Sequence, residues 1–299
     1  MRVIFEMETS DPDDFMTLLW LADHPKVDLL AVLVTPGSAD QCQLVRWGLD
    51  HCGRHDTPVA GFHGPSWWAS ADGSKPRVSG FHYHVYGEAI RQHPIGEVGH
   101  GPTLLAALLE ADSNVTVVVG SAPKNIGAAF RDHPTITLAR WVQQGGFAGA
   151  NLVAEPLEKF TGKITCPSFN PGGAPKDTLA LLASPRIAAR RFVAKNVCHG
   201  VIWTRDLHEA LEGRLAEPPR VGLATMIAAL DRYLLDKGVG KAMHDVVAAA
   251  CVLDERVCEF VEVEIYRKQG EWGANAASGT NTQISIGFDE ARFLGVLAG

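Results

Sequence analysis

Short apolar runs alternate with amphipathic stretches through the first two hundred residues, and this alternation narrows the possible folds sharply. Residues 27–34 and 115–119 are nearly all apolar, the pattern of strands covered on both faces. Residues 3–8, 136–142 and 191–197 read as further strands. Between them, residues 12–22, 39–51, 104–110 and a stretch from about 125 carry apolar positions at helical spacing. Such alternation predicts an α/β fold with a mostly parallel central sheet flanked by helices. Residues 61–100 and 147–175 lack clear periodicity and read as two long excursions, a kind of segment that is often functional. Helices are expected at 176–182, 207–212, 222–236 and 245–253, and strand-like segments at 260–266 and 283–286. With 299 residues, 46% of them hydrophobic, the chain can bury a large core and reads as one domain over 1–299.

In sheets of this kind ligands bind beyond the carboxyl ends of the strands. Residues 8–14, 35–38 and 120–124, with Gly145-Gly146, all stand at such ends and are expected to converge. The first of these loops is crowded with acid. Glu6, Glu8, Asp11, Asp13 and Asp14 fall within nine residues. Two unit charges ~4 Å apart repel by roughly 4 kcal/mol at an effective dielectric of ~20. Asp11 suits a helix N-cap and Pro12 a first helical residue. Capping does not account for Glu6 and Glu8 on an apolar strand, where unpaired acids are costly to bury. Either the acids point apart into water or a cation sits among them, and oxygen-only ligands suit Ca2+ or Mg2+.

Other motifs leave alternatives open. Asp245, after His244 at the mouth of a helix, is either another cap or part of a site. His82-Tyr83-His84 lies in the first excursion, beyond Trp67 and Trp68. Its histidines could be exposed, hydrogen-bonded or paired on a transition metal, and the aromatic rings could stack on a base or plug the core. Gly120 to Asn125 and Gly145-Gly146 are turn chemistry and match neither a P-loop nor a dinucleotide fingerprint. Net charge is -7 with no long block of one sign, so a basic nucleic-acid footprint is absent. No apolar run reaches the ~18 residues of a membrane span, and a strand is expected at once, without a signal peptide. Cys42, Cys52, Cys166, Cys198, Cys251 and Cys258 form no CxxC pair, as expected of a reduced, cytoplasmic protein.

Taken in order, these pieces resemble the nucleoside hydrolases of the inosine-uridine-preferring type. That family opens with a strand, then Asp-x-Asp-Pro-Gly-x-Asp-Asp, then a helix; the corresponding stretch here is residues 6–14. The likeness continues through residues 27–38, Val117-Val118-Val119-Gly120, Asn125-Ile126, Gln144-Gly145-Gly146, Ser168-Phe169-Asn170 and His244-Asp245. The resemblance implies a Ca2+ held by Asp14, Asp245, the main-chain carbonyl of Lys124 and an acid of the first loop, which also serves as general base. Anchoring on the strand makes that acid Glu8. Anchoring on Asp13-Asp14 puts Thr9 there, which cannot act as a base. Glu8 is favoured, with Asp11 as its competitor. Asp13 resembles the residue that holds the ribose hydroxyls, Asn170 one that bonds the sugar, and His244 a group near the departing base that helps protonate it.

The chain also departs from the family pattern. Its first loop is one residue longer, lacks Pro-Gly and carries Glu6 and Glu8 for two Asp. Ser168 stands where a ribose-binding Glu is expected, and Ser38 where an Asn is. Lys163 stands roughly where another Asn is expected, leaving Asn151 as the fallback for that contact. Trp67, Trp68 and His82 are expected to stack on the base or cover it. The implied activity is Ca2+-dependent hydrolysis of the N-glycosidic bond of a nucleoside or related ribosyl compound; the alternative is a ligand-binding member of the fold that has lost turnover. The family's dimers and tetramers imply a homo-oligomer.

Overall fold

The computed structural model describes residues 1–63, 77–216 and 218–299. Its strands are β1 (Arg2–Met7), β2 (Asp28–Val34), β3 (Val59–Gly61), β4 (Val98–His100), β5 (Thr116–Val119), β6 (Leu138–Gln144), β7 (Thr165–Cys166), β8 (Ile187–Val193), β9 (Ile202–Trp203), β10 (Lys241–Ala242), β11 (Cys258–Lys268), β12 (Glu271–Ala276) and β13 (Thr282–Phe288). All but β9 and β10 join one sheet in the order β4-β3-β2-β1-β5-β6-β8-β13-β11-β12-β7. From β4 to β13 every neighbouring pair is parallel; β11, β12 and β7 continue it antiparallel. This is the mostly parallel sheet that the alternation predicts.

The apolar runs are explained by cover on both faces. Val3, Phe5 and Met7 of β1 pack with Phe15, Trp20 and Val32 in one core cluster, while Ile4 packs with Leu33, Val117 and Trp141 in another. Successive residues thus feed opposite cores, as the two-residue repeat of a strand requires. The helix Pro12–Asp23 starts as its sequence predicts, with Asp11 accepting a hydrogen bond from the Asp13 amide at 3.2 Å. The helices Ala39–His51 and Asp245–Leu253 occupy the predicted bounds.

Elsewhere the structure differs. The strand expected at 191–197 runs over Ile187–Val193 instead. Arg190 and Arg191 masked its start. The buried Arg190 guanidinium donates to the carbonyls of Leu181 and Ser184, so the strand carries a charge without leaving it unbonded. The excursion at 61–100 starts on the last residue of β3 and contains β4 and the helix Gly80–Tyr86. The strand β12 and the helix Glu290–Ala298 were not expected. Glycine weakens a strand signal, yet Gly273 of β12 is required there, since a Cβ would lie 2.6 Å from the Tyr266 phenol. All six cysteines are unpaired. No helix among the described residues is long and apolar enough to cross a membrane.

Candidate functional site

The strand order runs outward in opposite directions from β1 and β5, so the loops that follow these two strands diverge and leave a crevice between them. A cavity of about 360 Å3 opens there, at the small end of the range for ligand sites. Its walls come from Glu8, Ser10, Asp11, Asp13 and Asp14, with Gly120, Gln144, Ser168 to Asn170, Lys195, His199 and His244-Asp245. The expected convergence of distant loops therefore occurs in part: residues 8–14 and Gly120 meet there, while residues 35–38, the rest of 120–124 and Gly145-Gly146 stand outside the lining.

The five crowded acids meet different fates. Glu6 is fully buried and accepts hydrogen bonds from the amides of Asn125 (2.8 Å) and Ile126 (3.2 Å), the Asn125 side chain (3.0 Å) and the Thr35 hydroxyl (3.0 Å). It thus caps the N-terminal end of the helix Lys124–Asp132. Burial nonetheless pushes its carboxyl up to about 7 against those bonds. Glu8 curls back on its own loop, accepting from the Thr9 amide (2.9 Å), the Ser10 amide (2.6 Å) and the Ser10 hydroxyl (2.7 Å). Asp11 caps its helix and pairs with the Lys241 ammonium at 2.7 Å. Asp13 accepts from the amides of His244 (2.7 Å) and Asp245 (3.0 Å) through Oδ2, and its Oδ1 lies 3.5 Å from Lys241.

Asp14 faces Asp245. Carboxylate oxygens of Asp13, Asp14 and Asp245 lie within 4.8 Å of one another, all buried. Burial raises the Asp14 carboxyl well above the usual range, and the charges of Asp245, Glu8 and Asp13 add to it. Asp245 is raised by burial and then by Asp13, and its Oδ1 has no hydrogen-bond partner. Gly120 closes the space behind them, where a Cβ would lie 2.8 Å from Asp245 Oδ1 and 3.2 Å from Asp14 Oδ1. An acceptor without a donor among converging acids is the arrangement that a cation completes. The donor set fits a hard divalent ion, and these three acids are the candidate group that holds one. Glu8 and Asp11 both line the cleft but stand outside the trio.

The remaining expected residues are dispersed. His244 lines the cleft with a buried Nδ1 that lacks a partner. Burial and then Lys241 push its imidazole down to about 4, so the ring is neutral at pH 7. Asn170 is buried, its Nδ2 donating to Gly120 O at 2.8 Å and Gln144 Oε1 at 2.6 Å. The Ser168 hydroxyl is taken by the Gly146 amide at 2.9 Å. Asn151 donates to the Ala274 carbonyl and is not among the lining residues. Lys124 begins its helix away from the lining; Gly120 is the part of that loop against the acids. Ser38 starts the helix Ala39–His51, where Gln41 Oε1 accepts from its amide.

His82 requires a correction. It is buried in the core against Phe15 (5.2 Å between rings) and Tyr86 (6.2 Å), and it is not among the residues that line the cleft. His84, two residues on, is exposed and bonds Asp236 at 2.9 Å, so the two imidazoles share no ligand. An i, i+2 pair on a helix diverges, and the expectation of an excursion had hidden that helix. Trp67 and Trp68 lie outside the described residues.

Lys241, Lys195 and His199 escaped the sequence reading. Lys241 reaches the acids from β10 as an isolated cation far along the chain. Lys195 lines the cleft from the first turn of a four-residue helix. His199 lies 4.8 Å from His244 between ring centroids, and nothing in the sequence joins the two.

Comparison with known proteins places the chain among relatives. The model of the inosine-uridine preferring nucleoside hydrolases matches residues 3–295. An uncharacterized protein of Aquifex aeolicus is 27% identical over 297 residues, which cover 96% of this chain and 94% of that one. A plant nucleoside hydrolase has a similar structure, with a TM-score of 0.69 at 19% identity over 99% of this chain and 97% of that one. An inosine-uridine preferring nucleoside hydrolase of Bacillus anthracis superposes with a TM-score of 0.70 at 15% identity, again over 99% and 97%.

Proposed function

The chain belongs to the inosine-uridine preferring nucleoside hydrolases, and from that premise we propose that it uses Ca2+ to hydrolyse a nucleoside or related ribosyl compound to ribose and free base. Membership makes it an N-ribohydrolase. The observation that supports the Ca2+ site is the trio Asp13, Asp14 and Asp245, buried together with one oxygen left without a donor.

In this reading Asp14 and Asp245 of that trio hold the ion, joined by Glu8 and the Lys124 carbonyl, while Asp13, one of whose oxygens already accepts from the amides of His244 and Asp245, is left to the sugar. Asp11 is the weaker candidate because Lys241 already claims its oxygen. The bound ion supplies Lewis acidity toward water and orients the sugar hydroxyls. Glu8 takes the proton of the attacking water as its oxygen bonds to the anomeric carbon and the carbon–nitrogen bond breaks. Positive charge spreads on the sugar in that transition state, and Asp13 and the Asn170 amide face it. His244, neutral at pH 7, donates a hydrogen bond to the departing nitrogen, which is protonated from solvent as Glu8 gives back the proton it took. Residues 1–299 act as one unit, and a cytoplasmic setting and self-association complete the reading.

A nucleoside panel incubated with chelated protein, with and without added Ca2+, and assayed for reducing sugar tests it. Sugar release that requires the ion and vanishes in Glu8→Gln is expected. Full activity in Glu8→Gln would refute the base assignment. The second reading, a ligand-binding member of the fold, is favoured by the occupied Ser168 hydroxyl and the remote Asn151. It would be supported by ligand-induced thermal stabilisation with no sugar from any compound.

A further inference from the structure

A second cluster of donors, of a different chemistry from the acids, meets at the cleft wall, where His199 and His244 line the cleft and Cys198 is buried behind them. Cys198 closes the short helix Lys195–Cys198 beyond the end of β8, His199 follows it, and His244 precedes the helix Asp245–Leu253. One ligand atom from each lies within 4.8 Å of the other two. We propose that these three residues form a binding site for a borderline-soft divalent ion of the Zn2+ type, beside the oxygen site and separate from it.

Two observations support the assignment. The donors are one sulfur and two imidazole nitrogens, which suit Zn2+ and not Ca2+. The His244 Nδ1 is buried with no hydrogen-bond partner, and such an atom in a native fold calls for a ligand, a water or an ion.

Zn–S and Zn–N bonds of about 2.3 and 2.0–2.1 Å require the donors to close up by roughly 1 Å, within the reach of small side-chain rotations. The Gln144 amide donates to Cys198 Sγ at 3.2 Å and can keep that bond to a thiolate. Lys159 Nζ touches His199 Nδ1 at 3.0 Å from an exposed position, so its flexible stem can swing away. Three protein ligands leave the fourth position open to the cleft. Since His244 is shared, an ion bound here withdraws that ring from any leaving base.

The test needs no substrate. Full-length protein, stripped with chelator and resupplied with excess Ca2+ to fill the acids, is titrated with Co2+ and its absorption recorded. A thiolate-to-cobalt charge-transfer band with the strong visible bands of a four-coordinate ion is expected, and both are displaced by Zn2+. The charge-transfer band should vanish in Cys198→Ser and persist in Cys42→Ser. His199→Ala should weaken binding at least tenfold, and Lys159→Ala should tighten it. Absence of the band in the unaltered protein, or its survival in Cys198→Ser, overturns the site. Should Cys198→Ser fail to fold, the His199→Ala titration decides, and unchanged affinity there refutes the proposal. The hydrolase reading stands or falls separately, on the sugar assay.

Discussion

The two ends of the helix Pro12–Asp23 are built on opposite terms. At its start Asp13, Asp14 and Asp245 converge, and one oxygen finds no donor. At its finish, opposite charges meet. Arg54 Nε donates to Ala22 O at 2.7 Å and Arg220 Nη1 to Asp23 O at 3.1 Å, while Asp23 Oδ2 accepts from the Gly222 amide at 2.7 Å. Both ends oblige the helix dipole, acids at the positive end and cations at the negative one. Only the first gathers more like charge than its neighbours can balance. The larger hollow, about 650 Å3, lies at the quiet end beside His24, where Asp254 is held by Arg256 and Arg292. Cavity size is thus a poor guide in this molecule, and an unanswered polar atom is a better one.

The contrast breaks most sharply at Asp245. Asp245→Asn should lower hydrolysis by roughly 1,000-fold, yet raise the melting temperature of chelated protein, because it removes repulsion from buried acids. A variant that loses activity and melts lower would mean that the trio is ordinary packing. Next comes Lys241, buried between Asp11 and Asp13. Lys241→Met leaves Asp13 without its cation and should cost about 3 kcal/mol in urea unfolding, while calorimetry finds tighter Ca2+ binding once the competing ammonium is gone.

At the other end the effects are smaller and purely structural. Arg220→Ala removes donors to Asp23 O and Leu297 O and should cost about 2 kcal/mol of stability with the turnover number unchanged; a fall in turnover would show that the two ends are coupled. The last effect is confined to the acid side of the pH profile. Burial and then Arg220 push the His24 imidazole down to about 4 from an ordinary 6.5. Between those values the unfolded chain binds a proton that the folded one refuses, so stability falls as pH drops from 6.5 toward 4. His24→Gln should flatten that part of the curve, and an unaltered slope would show that His24 does not cause it.

Where local chemistry decided structure, the sequence was readable. The Asp11 cap and the long apolar runs located the first helix and the central strands, because capping and burial act over a few residues. The same rules failed at Arg190, whose charge is satisfied by carbonyls of a neighbouring helix that no local pattern reveals. In the site, acid crowding pointed to the right loop but could not sort its members. Glu6 is spoken for by Asn125 and Asp13 by residues 244 and 245, partners more than a hundred positions away. Lys241 and His199 were illegible for the same reason. Each is unremarkable among its neighbours in the chain and gains meaning only beside residues that folding brings to it.

The two margins of the large sheet are stubs, three residues in β4 and two in β7. Backbone groups at a sheet margin invite another polypeptide to continue the ladder. Among the described residues, an incoming strand finds only a few rungs on either outermost strand, too short a template for runaway stacking. Contacts with further copies would therefore be made through side chains on the helical flanks, and so stay open to tuning one residue at a time.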